Sequence, residues 1–374
     1  MKIGILTFHR AHNYGAVLQS YAMKVVFSRY GKAEIIDYWP SYHHDEYSLI
    51  DLRFLKKSLS LKLRFSLLRS SFRRALLLPI RTQRSRKYRS FMNTHFWVGS
   101  RTPITCQTNL PQNFDAYVFG SDQIWRAFNL RNDPCPDLVY LGSEVPAGKR
   151  KISYAASMGE VRNDTLQEPG VSKLLEEFDF LSVREDRLKQ EIFKFSSRPV
   201  TEVLDPTLLM SRQEWTELAD NAPNKQTQPY LLFYSLIDSP ESRRIAKKLS
   251  RELGLQLVEI NGFGSIRGIF NRTLVQTAGP IDFLQLIRNA DFVVSTSFHG
   301  VVFSIIFQKN FFACGMGRHS GRVVNLLEML GLREQMIDNE TLARSNVSID
   351  YDIVRTRLSG MKEQSEQFIR AALT

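Results

Sequence analysis

Cysteine is scarce in this chain of 374 residues: Cys106, Cys135 and Cys314 are the whole set, and no two of them form a C-x-x-C pair. An odd, scattered set excludes a disulfide framework and a cysteine zinc site, and it suits a reducing cytoplasm. Long apolar runs are lacking as well. No stretch reaches the ~18 residues of a spanning helix, and residues 1–8 lack the cleavage site of a signal peptide. The expectation is a cytoplasmic protein that is not integral to a membrane. The turn after the first expected strand lacks the G-x-G-x-x-G fingerprint, which disfavours NAD. Metal ligands are sparse too: His43-His44-Asp45-Glu46 are neighbours on a loop with no partner ligands elsewhere, so no metal is expected.

Acidic residues are missing from one segment. Between Arg53 and Arg89 stand thirteen Lys or Arg and no Asp or Glu, so the formal charge of +12 belongs here and the remainder is close to neutral. Leu61, Phe65, Leu68, Phe72 and Leu76 recur at helical spacing within it, flanked by Lys62, Arg64, Arg69, Arg73 and Arg74, with Pro79 closing the stripe. A basic amphipathic helix of this kind suits an anionic membrane surface; equally, its stripe packs on the protein's own core. No nucleic-acid-binding motif accompanies the charge, so nucleic acid is not an expected partner.

What is present is an alternation of short buried strands and helices. Residues 2–8 read as a strand, 15–29 as a helix and 33–38 as a strand, which makes a βαβ unit. Further strands are expected at 116–119, 151–155 and 180–183. After a polar stretch at 221–228, a second βαβ unit runs over 230–260. Residues 281–290 read as a helix, 292–295 as a fully covered strand, 301–307 as a buried helix and 311–313 as a strand. The expected organisation is α/β, with an N-terminal Rossmann-like domain at 1–220 that carries a basic helical insertion at about 41–100. A second Rossmann-like domain follows at 229–340, then a C-terminal helix at 350–374.

Ligands of such sheets bind at the carboxyl ends of the strands, so the loops there carry the candidates. After the first strand come Asn13, Tyr14 and Gly15, which face the cleft or merely form the turn. After the third come Ser121, Asp122, Gln123 and Trp125, a polar loop with an aromatic that either stacks on a sugar or anchors the loop in the core. Arg184 follows 180–183 and either clamps an anion or makes an ordinary ion pair. Thr296 and Ser297 are natural N-caps, which leaves Phe298, His299 and Gly300 in a first helical turn whose N–H groups lack intrahelical acceptors. Gly300 has no side chain to hinder a ligand. Arg318, His319 and Arg322 follow the last strand and approach the same mouth.

Five pieces in order, Asn13-Tyr-Gly-Ala-Val-Leu-Gln19, Gly120-Ser-Asp-Gln-Ile-Trp125, Ser182-Val-Arg-Glu185, Leu204-Asp-Pro-Thr207 and Thr296-Ser-Phe-His-Gly300, resemble the polysaccharide pyruvyl transferase family. The resemblance spans about residues 1–335. It implies a fold similar to GT-B glycosyltransferases, with two domains facing a cleft, and transfer of pyruvyl from phosphoenolpyruvate to two hydroxyls of a sugar as a cyclic ketal. It implies that His299 and Arg184 serve the donor, together with a basic residue about twenty positions after the His, Arg318 or Arg322. One departure stands out: better-known branches carry Arg two residues before the His, where this chain has Ser297.

The chemistry asks for these residue types. Phosphoenolpyruvate carries a carboxylate and a phosphate, which call for Arg side chains and helix N–H groups. Ketal formation needs an acid for the methylene carbon and a base for each hydroxyl. His299 is the expected acid or phosphate ligand, and Asp122 or Asp205 the base. No cofactor is expected beyond phosphoenolpyruvate as donor. The acceptor is a surface-polysaccharide precursor, free or lipid-linked, which would bring the enzyme to the inner face of the cell membrane. The alternative is a nucleotide-sugar-dependent glycosyltransferase of similar fold.

Overall fold

The computed structural model describes the chain outside residues 41, 43–68, 70, 73–74, 98–102, 106–109, 130–133, 160–165, 167, 223–225, 227, 237–238, 263–264, 272, 315–316 and 339–347. Short apolar runs form two wholly parallel sheets. The first contains β1 (Lys2–Leu6), β2 (Lys32–Ile35), β3 (Ala116–Phe119), β4 (Arg150–Ala156), β5 (Phe180–Val183) and β6 (Val200–Glu202), in the order β2-β1-β3-β4-β5-β6. The second contains β7 (Tyr230–Ser235), β8 (Gln256–Asn261), β9 (Leu274–Val275), β10 (Phe292–Ser295) and β11 (Asn310–Ala313), in the order β9-β8-β7-β10-β11. Every residue of β3, β7 and β10 is buried, as parallel strands covered on both faces require.

Helices connect the strands. α1 (Tyr14–Ser28) starts at Asn13, whose Oδ1 accepts from the amides of Gly15 and Ala16 at 2.9 and 3.3 Å. α2 (Leu78–His95) has Pro79 in its first turn, so this proline opens a helix as well as ending the stripe before it. α3 (Pro206–Leu209) and α4 (Arg212–Ala219) follow β6, and α5 (Pro240–Glu252) joins β7 to β8. α6 (Pro280–Arg288) leads into β10, α7 (Phe298–Ile306) leaves it, and α8 (Gly321–Leu330) follows β11.

The halves share one hydrophobic core. Tyr14 stacks on Phe283 with centroids 4.6 Å apart, and Trp215 meets Phe303 edge-on at 4.9 Å. α9 (Tyr351–Leu373) returns from the second half to the first, where Ser365 Oγ accepts from the Leu204 amide and Arg150 donates to the Ala372 carbonyl, both at 3.0 Å. α2 bridges the halves as well: Lys87 pairs with Asp282 at 2.7 Å. These ties hold the strand ends of the two sheets against each other.

Of the expected basic stripe, Leu61, Phe65 and Leu68 lie outside the described residues, as do His43 to Glu46. Phe72 and Leu76 are described and are 71% and 48% exposed, so they do not pack on the core. No helix among the described residues is long and apolar enough to cross a membrane.

Candidate active site

His299 enters from the second sheet and is held by glycines on either side. A β-carbon at Gly300 would stand 2.1 Å from Ser295 Oγ and 2.7 Å from a Tyr234 ring carbon, so this glycine lets α7 close on β10 and β7 rather than admitting a ligand. The expected caps are corrected. Ser297 occupies the N-cap position without a side-chain cap bond, Thr296 Oγ1 accepts from Leu236, and Ser295 Oγ accepts from the Ser297 amide at 3.0 Å. The short polar side chains tie the turn to the strands and leave the first-turn N–H groups without intrahelical acceptors.

From the second sheet, His299 meets the first sheet twice. Its ring lies against Gly15, where a β-carbon would stand 2.1 Å from Nδ1. On its other side, Nε2 is 3.6 Å from Asp205 Oδ2. That separation is too long for a hydrogen bond but close enough for charge attraction, and Nε2 is buried without a hydrogen-bond partner among the described residues.

Asp205 is the hub of a buried polar cluster. Its Oδ2 accepts from Arg184 Nη1 at 2.6 Å and from Ser121 Oγ at 3.2 Å, and its Oδ1 accepts from the amide and hydroxyl of Thr207 at 3.1 and 2.6 Å. Burial works to raise its pKa, but His299, Arg184 and Thr207 more than offset this and hold the carboxyl far below the usual range. Both oxygens of Asp205 are thus engaged by neighbouring donors, whereas Asp122, the other expected base, is half-buried on the loop after β3.

Arg184 has further company. Its Nε faces Glu185 Oε1 at 3.5 Å, Glu185 accepts from Ser157 Oγ at 2.6 Å, and the guanidinium lies 4.7 Å from the Phe298 ring centre. Nη2 is buried with no hydrogen-bond partner among the described residues. Arg322, from α8, lies 5.6 Å from the same Phe298 ring. Burial, and then the charge of Arg184, lower the Arg322 pKa to about 10. Two guanidiniums on one ring, one with an unused donor, make a cradle for an anion. Asp122, half-buried and with φ at 68°, acts electrostatically on both arginines. The side chains of Arg318 and His319 lie outside what is described.

Not every expected residue joins this cluster. Trp125 is in the core, its indole N–H donating to the Tyr140 carbonyl at 3.0 Å, so the anchoring alternative holds. Tyr14 is buried between the halves and donates to the Ala278 carbonyl at 3.1 Å, and Asn13 is the cap of α1. Gln123 packs against Gly159, whose φ of 75° and proximity leave no room for a β-carbon. Glu185 and Ser157 were not anticipated, although Glu185 adjoins Arg184 in sequence. Nor was the tie between Asp37, His9 and Arg10 at 2.9 and 2.5 Å, which fixes the loop after β1.

Two parallel α/β sheets whose carboxyl edges meet at one polar cluster define a GT-B-like protein. Among solved structures, the UDP-N-acetylglucosamine 2-epimerase from Rickettsia bellii matches with a TM-score of 0.50 at 9% identity, over 99% of this chain and 95% of that one. A UDP-GlcNAc 2-epimerase from Methanocaldococcus jannaschii, in complex with UDP-GlcNAc and UDP, matches at 0.41 and 11%, over 84% and 83%. The E. coli heptosyltransferase WaaC with ADP matches at 0.38 and 12%, over 84% and 87%. No curated protein matches the sequence. The family model for polysaccharide pyruvyl transferase matches residues 13–317, and the chain belongs to that family. It is a transferase by family.

Proposed function

We propose that the protein transfers the pyruvyl group of phosphoenolpyruvate to two hydroxyls of one sugar in a surface-polysaccharide precursor. The observation that carries this reading is the pair of arginines on Phe298, one of which meets the buried His299 at Asp205 Oδ2. Arg184 and Arg322 hold the carboxylate and phosphate, assisted by the first-turn amides of α7. Arg322 thereby supplies the cation that other branches carry at the position of Ser297.

His299, 3.6 Å from Asp205 Oδ2, delivers a proton to the methylene carbon, and the C2 so made electrophilic is attacked by the first hydroxyl. That hydroxyl loses its proton to Asp122. The C2–O bond to phosphate then breaks with its electron pair on the leaving phosphate, the second hydroxyl attacks C2 and gives its proton to His299, which restores the acid, and the products are the cyclic ketal and inorganic phosphate. No oxidation or reduction occurs. The exposed Phe72 and Leu76 on the basic segment would bring the enzyme to an anionic membrane that carries a lipid-linked acceptor.

A nucleotide-sugar glycosyltransferase is the second reading. It draws on the cavity of about 190 Å³ at the carboxyl ends of β7 and β8, lined by Ser235, Asn261 and Gly262 among others. Binding of phosphoenolpyruvate against binding of nucleotide sugars separates the two.

A further inference from the structure

A second buried guanidinium lies apart from the donor cluster and has no carboxylate. Arg84, on α2, is 6% exposed, and its Nη1 donates to the Asn261 carbonyl at 3.1 Å. Its Nε and Nη2 and the buried Tyr88 hydroxyl make no hydrogen bond within 3.5 Å among the described residues, although Arg84 and Tyr88 lie close enough to act on each other. The guanidinium lies 4.8 Å from the Tyr14 ring centre and 5.6 Å from that of Tyr88. Burying such a cation without an ionic partner is costly, and proteins ordinarily supply an acid.

Here the surroundings add positive charge instead. Arg81, Arg84 and Tyr88 share one face of α2, and the His12 ring sits 5.1 Å from that of Tyr88. Burial, followed by Arg84, Arg89 and Arg81, pushes the His12 pKa down to about 4. Acids of the facing half are already engaged: Asp282 pairs with Lys87 at 2.7 Å, and Glu259 takes Arg243 and Arg267 at 3.4 and 2.6 Å. Asn261, whose carbonyl accepts from Arg84, also borders the cavity at the ends of β7 and β8.

We propose that Arg84, with Arg81, Arg89, His12 and Tyr88, forms a second anion site that takes a phosphate or diphosphate ester. The buried Arg84 fork beside the Tyr88 hydroxyl offers several donors at one place, which suits the multiple acceptor oxygens of a phosphate or diphosphate. Arg84 is the buried fork, Tyr88 a hydroxyl donor, and Arg81 and Arg89 the outer cations. Identification of the ligand with the phosphorylated end of the saccharide acceptor rests on the pyruvyl-transfer reading; the anion site does not.

The test is calorimetric titration of the full chain with inorganic pyrophosphate, in the wild type, R84Q, the R81Q/R89Q pair and R322Q. The expected result is one site that persists in R322Q and weakens about tenfold or more in R84Q and in the pair, since each bond to a charged group is worth about that. The pair alters only the outer cations on α2 and carries the test by itself if R84Q misfolds. Parallel titrations with UDP and geranyl diphosphate name the source: tighter binding of the first points to a nucleotide, of the second to a lipid carrier. Binding that survives in R81Q/R89Q and disappears in R322Q overturns the proposal, and so does the absence of binding at millimolar pyrophosphate. Phosphoenolpyruvate takes no part, so failure here is distinct from failure of the donor assignment.

Discussion

Gly15 and His299, 284 positions apart in sequence, lie in contact between the two halves, with Nδ1 of the ring 2.1 Å from where a residue-15 β-carbon would sit. The loop after β1 therefore sets the position of the imidazole. Gly15→Ala is expected to push the ring away and lower kcat about a hundredfold, because displacements near 1 Å cost rates of that order. The check is kcat together with the thermal midpoint. Full turnover in a folded Gly15→Ala protein would remove His299 from the chemistry.

Arg184 and Asp205 are a buried pair, and breaking it leaves an uncompensated charge. Arg184→Ala is expected to cost about 3–5 kcal/mol of stability, by denaturant titration, in addition to abolishing donor binding. Arg322→Gln, which breaks no ion pair among the described residues, is expected to lose donor affinity while keeping its unfolding free energy within about 1 kcal/mol of wild type. Equal destabilisation of both variants would contradict the division of roles.

Trp125 is an anchor. Trp125→Phe removes the bond to the Tyr140 carbonyl and is expected to cost about 1–2 kcal/mol without changing the acceptor KM. A large rise in KM at unchanged stability would return Trp125 to the sugar.

Stability should fall with acid in two windows. The folded His12 pKa is about 4 against 6.5 ordinarily, so the unfolded chain binds more protons between those values, and stability present above 6.5 is lost as pH falls towards 4. Asp37 is the carboxylate case. Its pKa, raised by burial but brought down to about 2 by Arg10 and His9, gives stability that is full above the ordinary 3.8 and lost as pH falls through 2. Denaturant titrations at stepped pH check this, and His12→Asn should flatten the upper window while leaving the lower one.

The strands were legible because fully covered parallel strands are written as short runs without alternation. Ala116–Phe119, Phe180–Val183 and Phe292–Ser295 fall where those runs stand. α2 was legible only as part of a basic helical insertion and not by its own bounds, because Arg84 and Ser85 are buried along with Tyr88, Phe91 and Met92 and interrupt the apolar stripe of its inward face. His299, Arg184 and Arg322 were candidates from strand-end position, and they converge. Asp205 was read as a base because sequence shows a carboxylate without its partners; Arg184, Ser121 and Thr207 reveal it as a hub. The use of Gly15 and Gly300 as packing sites depends on neighbours distant in sequence or on another strand.

The most direct test of the central assignment is the thermal midpoint of the purified protein titrated with phosphoenolpyruvate, with UDP and GDP sugars in parallel. The account predicts a rise with phosphoenolpyruvate, equivalent to about 2.7 kcal/mol at 100 times its Kd, that disappears in Arg322→Gln. A rise with a nucleotide sugar alone, or a phosphoenolpyruvate response unchanged in Arg322→Gln, would contradict it.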